Sequence, residues 1–205
     1  MTISENVAAV LDHVITAENK SGHKTTVIGV TKYVDADKAR ELVEAGITHI
    51  AENRTELFLD KQEKLSDLPI TWHLIGTLQR RKVKDVINHV DYFHALDSIK
   101  LAYEIDKRAD HVIKCFLQVN VSGETSKHGF SPDELADVLP EISNLSKVKI
   151  VGLMTMAPID ASETELIEIF DKAKSLQVEI ASQNLAHIPC TELSMGMSQD
   201  YQQST

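Results

Sequence analysis

The chain has 205 residues, with 42% apolar and 25% charged side chains, the mix of a soluble globular protein. At this length about 70% of the unfolded surface is buried on folding, so neither disulfides nor a structural metal is needed. A formal charge of −10, from 21 basic and 31 acidic residues, with only 5% aromatic content, argues against a nucleic-acid-wrapping surface.

No apolar run is long enough for a membrane span. Residues 1–20 carry Glu5, Asp12 and Glu18 and do not read as a secretory leader. Cys115 and Cys190 are far apart and make no CxxC or zinc spacing, which predicts a reducing, cytoplasmic setting with both thiols in the core.

In chain order, residues 3–20 place Ile3, Val7, Val10, Leu11, Val14 and Ile15 on one helical face, and Ser21-Gly22-His23 stops that helix. Residues 25–31 are rich in β-branched side chains without in/out alternation, the pattern of a parallel strand covered on both faces. Asp35 caps a helix that Gly46 ends. Strands follow at 48–51, 70–75, 90–95, 112–121, 148–153 and 191–193. The helices between them run over 54–65, 79–88 and 98–109, then from the Ser131-Pro132-Asp133-Glu134 cap and from the Ser162/Glu165 capping box to about 181. One more helical stretch is predicted to begin at Ser198.

Strand–helix alternation implies parallel βαβ units. The N-terminal helix plus seven such units, without an interdomain linker, predicts one domain over residues 1–205. A doubly wound sheet would be expected to show GxGxxG after an early strand; that motif is absent, so the pattern favours a (β/α)8 TIM-type barrel.

A barrel keeps its chemistry at the carboxyl ends of the strands. Those ends carry Lys32, Glu52 with Asn53, His73 with Gly76, Asp97 with Ser98, Asn120, Met154 with Thr155, and Ser194 through Ser198. Lys32 follows seven uncharged residues. A free lysine is only about one in 2,500 unprotonated at neutral pH, and burial raises that nucleophilic fraction. The bland alternatives are a lysine that snorkels into a loop or pairs with Glu52.

Ser194-Met195-Gly196-Met197-Ser198 links a strand to a helix start, where Gly196 allows close backbone approach and hydroxyl and N–H donors suit a phosphate monoester. An amine and a phosphate cradle on one barrel face point to an aldehyde-bearing phosphate, with pyridoxal 5'-phosphate (PLP) the candidate. The nine histidines show no HxH or HExxH spacing, so no metal site is predicted. His73 reads as packed or pocket-lining, and Met154 as core or pocket wall. Arg80 to Lys84 reads as a solvated helix start.

Five segments carry a family resemblance: Val30-Thr31-Lys32, Glu52-Asn53, Trp72 to Gln79 (WHLIGTLQ), Gly152-Leu153-Met154, and Leu193 to Asp200 (LSMGMSQD). From about residue 3 onward the chain resembles the YggS/PROSC (PLPBP) family of pyridoxal phosphate homeostasis proteins. Ala51 stands where that family has glycine, Thr77 where many members have histidine, and Arg80-Arg81 where Ser-Asn is common.

The resemblance implies a barrel similar to the N-terminal domain of alanine racemase, with PLP held as a Schiff base on Lys32. It places Asn53 near the ring, and Ser194 with the backbone around Met197 and Ser198 on the phosphate. Together with His73, Met154 and Gly196, these are the candidate cofactor residues. No catalytic residue is assigned, because the family is understood to supply PLP, with PLP-dependent apo-enzymes as recipients.

The alternative is a racemase-like PLP enzyme. Two-way racemisation needs acid–base groups on both cofactor faces, and the second domain that supplies one of them in alanine racemase is not in this sequence. Two further readings are a cofactor-free Schiff-base aldolase on Lys32 and a barrel with no ligand. A monomer without nucleic-acid or membrane partners is expected. The family continues into an eighth strand with an Arg-x-Gly segment, whereas this sequence ends at Thr205. The expectation is therefore a barrel short of its eighth strand, with weakened cofactor affinity.

Overall fold

The computed structural model describes residues 2–123 and 128–205. It resolves into two compact units, Met1–Gly76 (with Thr205) and Thr77–Ser204.

The first unit opens with α1 (Ile3–Ser21), whose Thr2 and Glu5 form a capping box: the Glu5 N–H donates to Thr2 Oγ1 at 3.2 Å and the Thr2 N–H to Glu5 Oε2 at 2.7 Å. Gly22 ends it at φ 73°, a left-handed conformation that glycine adopts without penalty. Then come β1 (Ile28–Val30), α2 (Ala36–Glu44), β2 (His49–Glu52), α3 (Thr55–Lys64) and β3 (Thr71–Leu74). Asp35 caps α2 as expected, accepting from the Lys38 N–H at 2.9 Å.

The three strands pair in parallel, with Gly29 opposite Ile50 and Ile50 opposite Trp72. One face meets the helices: Phe58 of α3 packs edge-on against Trp72 of β3 at 5.4 Å between ring centroids. A Cβ on Gly29 would stand 2.5 Å from the end of the Leu42 side chain of α2, so the glycine makes room for that side chain against β1. The first strand is shorter than the sequence suggests. A strand needs a hydrogen-bonding neighbour, and β2 begins only at His49, opposite Ile28. Upstream, the Thr25 N–H instead donates to the Glu18 carboxylate at 2.6 Å.

The second unit runs α4 (Arg80–Val86), a 3-10 turn (Ile87–His89), β4 (Tyr92–Leu96), α5 (Ile99–Arg108), β5 (Ile113–Gln118), a 3-10 turn (Pro132–Glu134), α6 (Leu135–Ile142), β6 (Val148–Met154), α7 (Glu163–Ser182), β7 (Glu192–Ser194) and α8 (Tyr201–Ser204). Strands β4 to β7 pair in parallel in chain order. Ser98 and Ser162 cap α5 and α7. The Ser131/Glu134 box forms, but it opens the 3-10 turn that leads into α6. Phe93, Leu96, Ile105, Ile113, Leu117 and Val148 are all fully buried, so this unit has an apolar interior of its own.

The last helix departs from expectation. It begins at Tyr201, not at Ser198, because a turn comes first: the Met197 carbonyl accepts from the N–H groups of Asp200 at 3.1 Å and Tyr201 at 2.9 Å.

Gly152 marks the tightest strand contact. A Cβ there would lie 1.9 Å from the Glu192 carbonyl oxygen of β7. Gly152→Ala is therefore expected to push β7 away and to cost about 2–3 kcal/mol, read as a lower urea midpoint at unchanged slope.

Candidate functional site

In the first unit, polar groups gather where β1, β2 and β3 end. Thr31 is the last residue before Lys32, and every polar atom it has is bonded. Its N–H donates to the Ala51 carbonyl at 3.0 Å. Its Oγ1 donates to Glu52 Oε1 at 2.8 Å. Its carbonyl accepts from Lys61 Nζ at 2.6 Å and from the Val34 N–H at 3.1 Å. Lys61 also pairs with Glu52 Oε1, and this ion pair is buried, at 4% and 0% side-chain exposure. Among the described residues, Glu52 Oε2 finds no hydrogen-bond partner.

The bland pairing of Lys32 with Glu52 is thus replaced, since Glu52 turns to the helix-facing side and meets Lys61 of α3. Lys32 itself is half-buried, with its ammonium 5.0 Å from the centroid of the exposed Tyr33 ring.

Lys61 was not singled out from the sequence. The available signal was its spacing: Phe58, Lys61 and Leu65 lie on the buried face of α3, where a charge needs a buried partner.

Asn53 follows β2 and is exposed. Its backbone is met closely by Gly76, where a Cβ would lie 2.0 Å from the Asn53 carbonyl oxygen. That approach explains the glycine after Trp72-His73-Leu74-Ile75. His73 is buried, and its Nε2 lies 2.9 Å from His49 Nδ1. Register places Ala51 opposite His73, so the ring reaches back toward the amino end of β2, away from Lys32. One nitrogen donates and the other accepts, so the contact holds a single proton.

In the second unit, Met154 and Ser194 are register partners at the ends of β6 and β7. Met154 is buried and Ser194 is half-buried. The Ser194 hydroxyl lies 2.6 Å from His94 Nδ1, a residue of β4 not assigned from sequence. His94 stacks on Phe116 at 4.4 Å. Its burial pushes the imidazole pKa down to about 4, so it is neutral at pH 7. The sequence offered little signal for it, because a histidine between Phe93 and Ala95 looks like any packed strand residue.

Gly196 sits at φ 84°, and a Cβ there would approach Ser204 Oγ to 2.2 Å. Met197 and Ser198 are exposed. The Met197 N–H, expected to be open for a phosphate, donates to the buried Asp200 carboxylate. Of the donors expected to suit a phosphate, the Met197 N–H is thus held by an internal acid.

Both cysteines are free and buried, as expected; burial raises the Cys115 thiol strongly and pushes Cys190 up to about 12, so neither is a thiolate at neutral pH. Among the described residues no three potential ligands cluster to hold a metal, and no helix is long and apolar enough to cross a membrane.

The buried His94 makes stability depend on pH. Its folded pKa lies below its unfolded value of about 6.5, so the unfolded chain binds the extra proton between pH 6.5 and 4. Its contribution is complete above pH 6.5 and falls by roughly 3 kcal/mol as pH drops to 4. Urea unfolding across this range is expected to show that slope, and His94→Gln is expected to flatten it.

Residues 6–204 match the alanine racemase, N-terminal domain family. A pyridoxal phosphate homeostasis protein of Aquifex aeolicus is 34% identical, over 98% of this chain and 90% of that protein. One from Pseudomonas aeruginosa is 31% identical, over 97% and 86%. The solved structure of PipY from Synechococcus elongatus with PLP bound is 34% identical, with a TM-score of 0.85 over 99% of this chain and 92% of PipY. An alanine racemase of Clostridium difficile shares the fold alone, with a TM-score of 0.73 at 14% identity. The chain belongs to the family of pyridoxal phosphate homeostasis proteins, built on the alanine racemase N-terminal domain.

Proposed function

We propose that this chain binds PLP in the cytoplasm and serves cofactor supply as a monomeric carrier, not as an enzyme, with PLP-dependent apo-enzymes as recipients. The observation that carries the reading is the PLP-bound relative, which is 34% identical across 99% of this chain. The reading takes residues 1–205 as one domain and their seven strands as those of a (β/α)8-type barrel, whose strand ends carry the site.

The residues present fit the group. Lys32 offers an amine just past β1, on a backbone held by hydrogen bonds at Thr31. Ser194 offers a hydroxyl at the end of β7, and the Gly196 turn leaves space that a Cβ would fill. When bound, PLP supplies an aldehyde and a conjugated ring.

In this reading Lys32 Nζ, in its uncharged form, forms the carbon–nitrogen double bond of a Schiff base with the aldehyde carbon, and the aldehyde oxygen leaves as water. Ser194 donates to the phosphate, and neutral His94 orients the hydroxyl without adding charge. Gly196 with Met197 and Ser198 lines the phosphate, Asn53 lies near the ring, Met154 forms wall, and His73, turned toward His49, stands behind the site and not against the ring.

The test is direct. The protein is incubated with PLP, reduced with borohydride and mapped by peptide mass. A PLP adduct on Lys32, absent in Lys32→Ala, is the expected result; no adduct on Lys32 sinks the proposal. Adding amino acids and following product then separates carrier from racemase-like enzyme, and sustained turnover would favour the enzyme.

Ser194→Ala removes a hydrogen bond to a charged group, which is worth roughly 1.5–3 kcal/mol. PLP binding is expected to weaken about 10- to 100-fold, while binding of pyridoxal, which lacks the phosphate, changes little. Equal losses for both ligands would remove Ser194 from the phosphate site.

A further inference from the structure

We infer that the buried Glu52–Lys61 pair is a positioning device for Lys32, acting through Thr31 and selecting this lysine among the many on the surface for reaction with the aldehyde. The inference rests on the PLP reading given above.

The geometry carries it. Buried ion pairs are expensive to assemble, and an apolar pair of the same volume often serves stability as well or better. Stability alone is therefore weak grounds for keeping one, and what such a pair adds over an apolar pair is directionality. Here both charges converge on one residue. Lys61 Nζ holds the Thr31 carbonyl at 2.6 Å, and Glu52 accepts from Thr31 Oγ1 at 2.8 Å while also binding Lys61.

The carbonyl that Lys61 grips belongs to the peptide group joining Thr31 to Lys32. Fixing that peptide plane fixes where the Lys32 side chain departs from the backbone. β1 is only three residues long and ends at Val30, so the strand ladder does not reach Lys32. The Thr31 N–H to Ala51 bond and the ion pair take over that role.

Displacements near 1 Å at a reacting group cost on the order of 100-fold in rate. A loose Lys32 would be one exposed amine among others, such as Lys38 and Lys64, which sit on the solvent face of α2 and α3. A held Lys32 presents its nitrogen to a bound aldehyde at one place.

The test uses the whole chain with limiting PLP, brief incubation, borohydride reduction and peptide mapping. The readout is the fraction of adduct on Lys32 against that on Lys38 and Lys64. In the wild type, Lys32 is expected to dominate. The double variant Glu52→Leu with Lys61→Met removes both buried charges at similar volume. Thr31 keeps its Val34 and Ala51 partners there. Its melting temperature is expected to stay near the wild-type value, while selectivity for Lys32 falls on the order of tenfold. Thr31→Val, which deletes only the hydroxyl link, is expected to lower selectivity in part, and Thr31→Ser to restore it.

Wild-type selectivity in both the double variant and Thr31→Val would overturn the positioning role and leave the PLP reading standing. Absence of any Lys32 adduct in the wild type would overturn the PLP reading and this inference with it.

Discussion

A parallel strand covered by helices leaves no room for an unpaired charge, and in the first unit this constraint organises the polar groups around Lys32. Glu52 ends β2 on its helix-facing side, fully buried. It is tolerated because α3 delivers Lys61 to it and Thr31 supplies a hydroxyl. The cost of burying the pair is offset only by tight geometry. The same contacts that neutralise Glu52 tie the end of β1 to β2 and α3. Lys32 then emerges from a backbone with every Thr31 polar atom occupied.

The second unit meets the same constraint with neutral groups. His94 lies inside β4, and burial keeps its imidazole uncharged, so it shares a hydrogen bond with Ser194 without an ion pair. Nearby, Asp200 spends its carboxylate on the Met197 N–H and shapes the turn that precedes α8. An internal acid there pre-forms the loop, and it also places a negative group beside the segment proposed to meet a phosphate. The proposed anion site relies on a hydroxyl and a glycine turn in a chain of net charge −10.

Much of this was legible in the sequence. Strand–helix alternation, the caps at Asp35 and Ser162, and the stop at Gly22 depend on neighbours a few residues apart, and they appear where the pattern put them. The ends of β1 and α8 did not follow the local pattern. Residues 25–27 have the composition of a strand but lack a partner, and Ser198 has the chemistry of a cap but lies in a turn held by Asp200. In both places a hydrogen bond from elsewhere decided the outcome.

The candidate site divides in the same way. The sequence alone determined which residue types stand at the strand ends, Lys32 and the Ser194–Ser198 segment above all, because alternation of strand and helix is a local, periodic property. Only the tertiary structure decided what those residues touch: Glu52 with Lys61 and not Lys32, His73 with His49, and Ser194 with His94, which lies 100 residues away. The physical reason is that burial turns a polar group's demand for a partner into a constraint. Which partner meets it depends on strand register and helix placement, and these are set by packing across the whole unit.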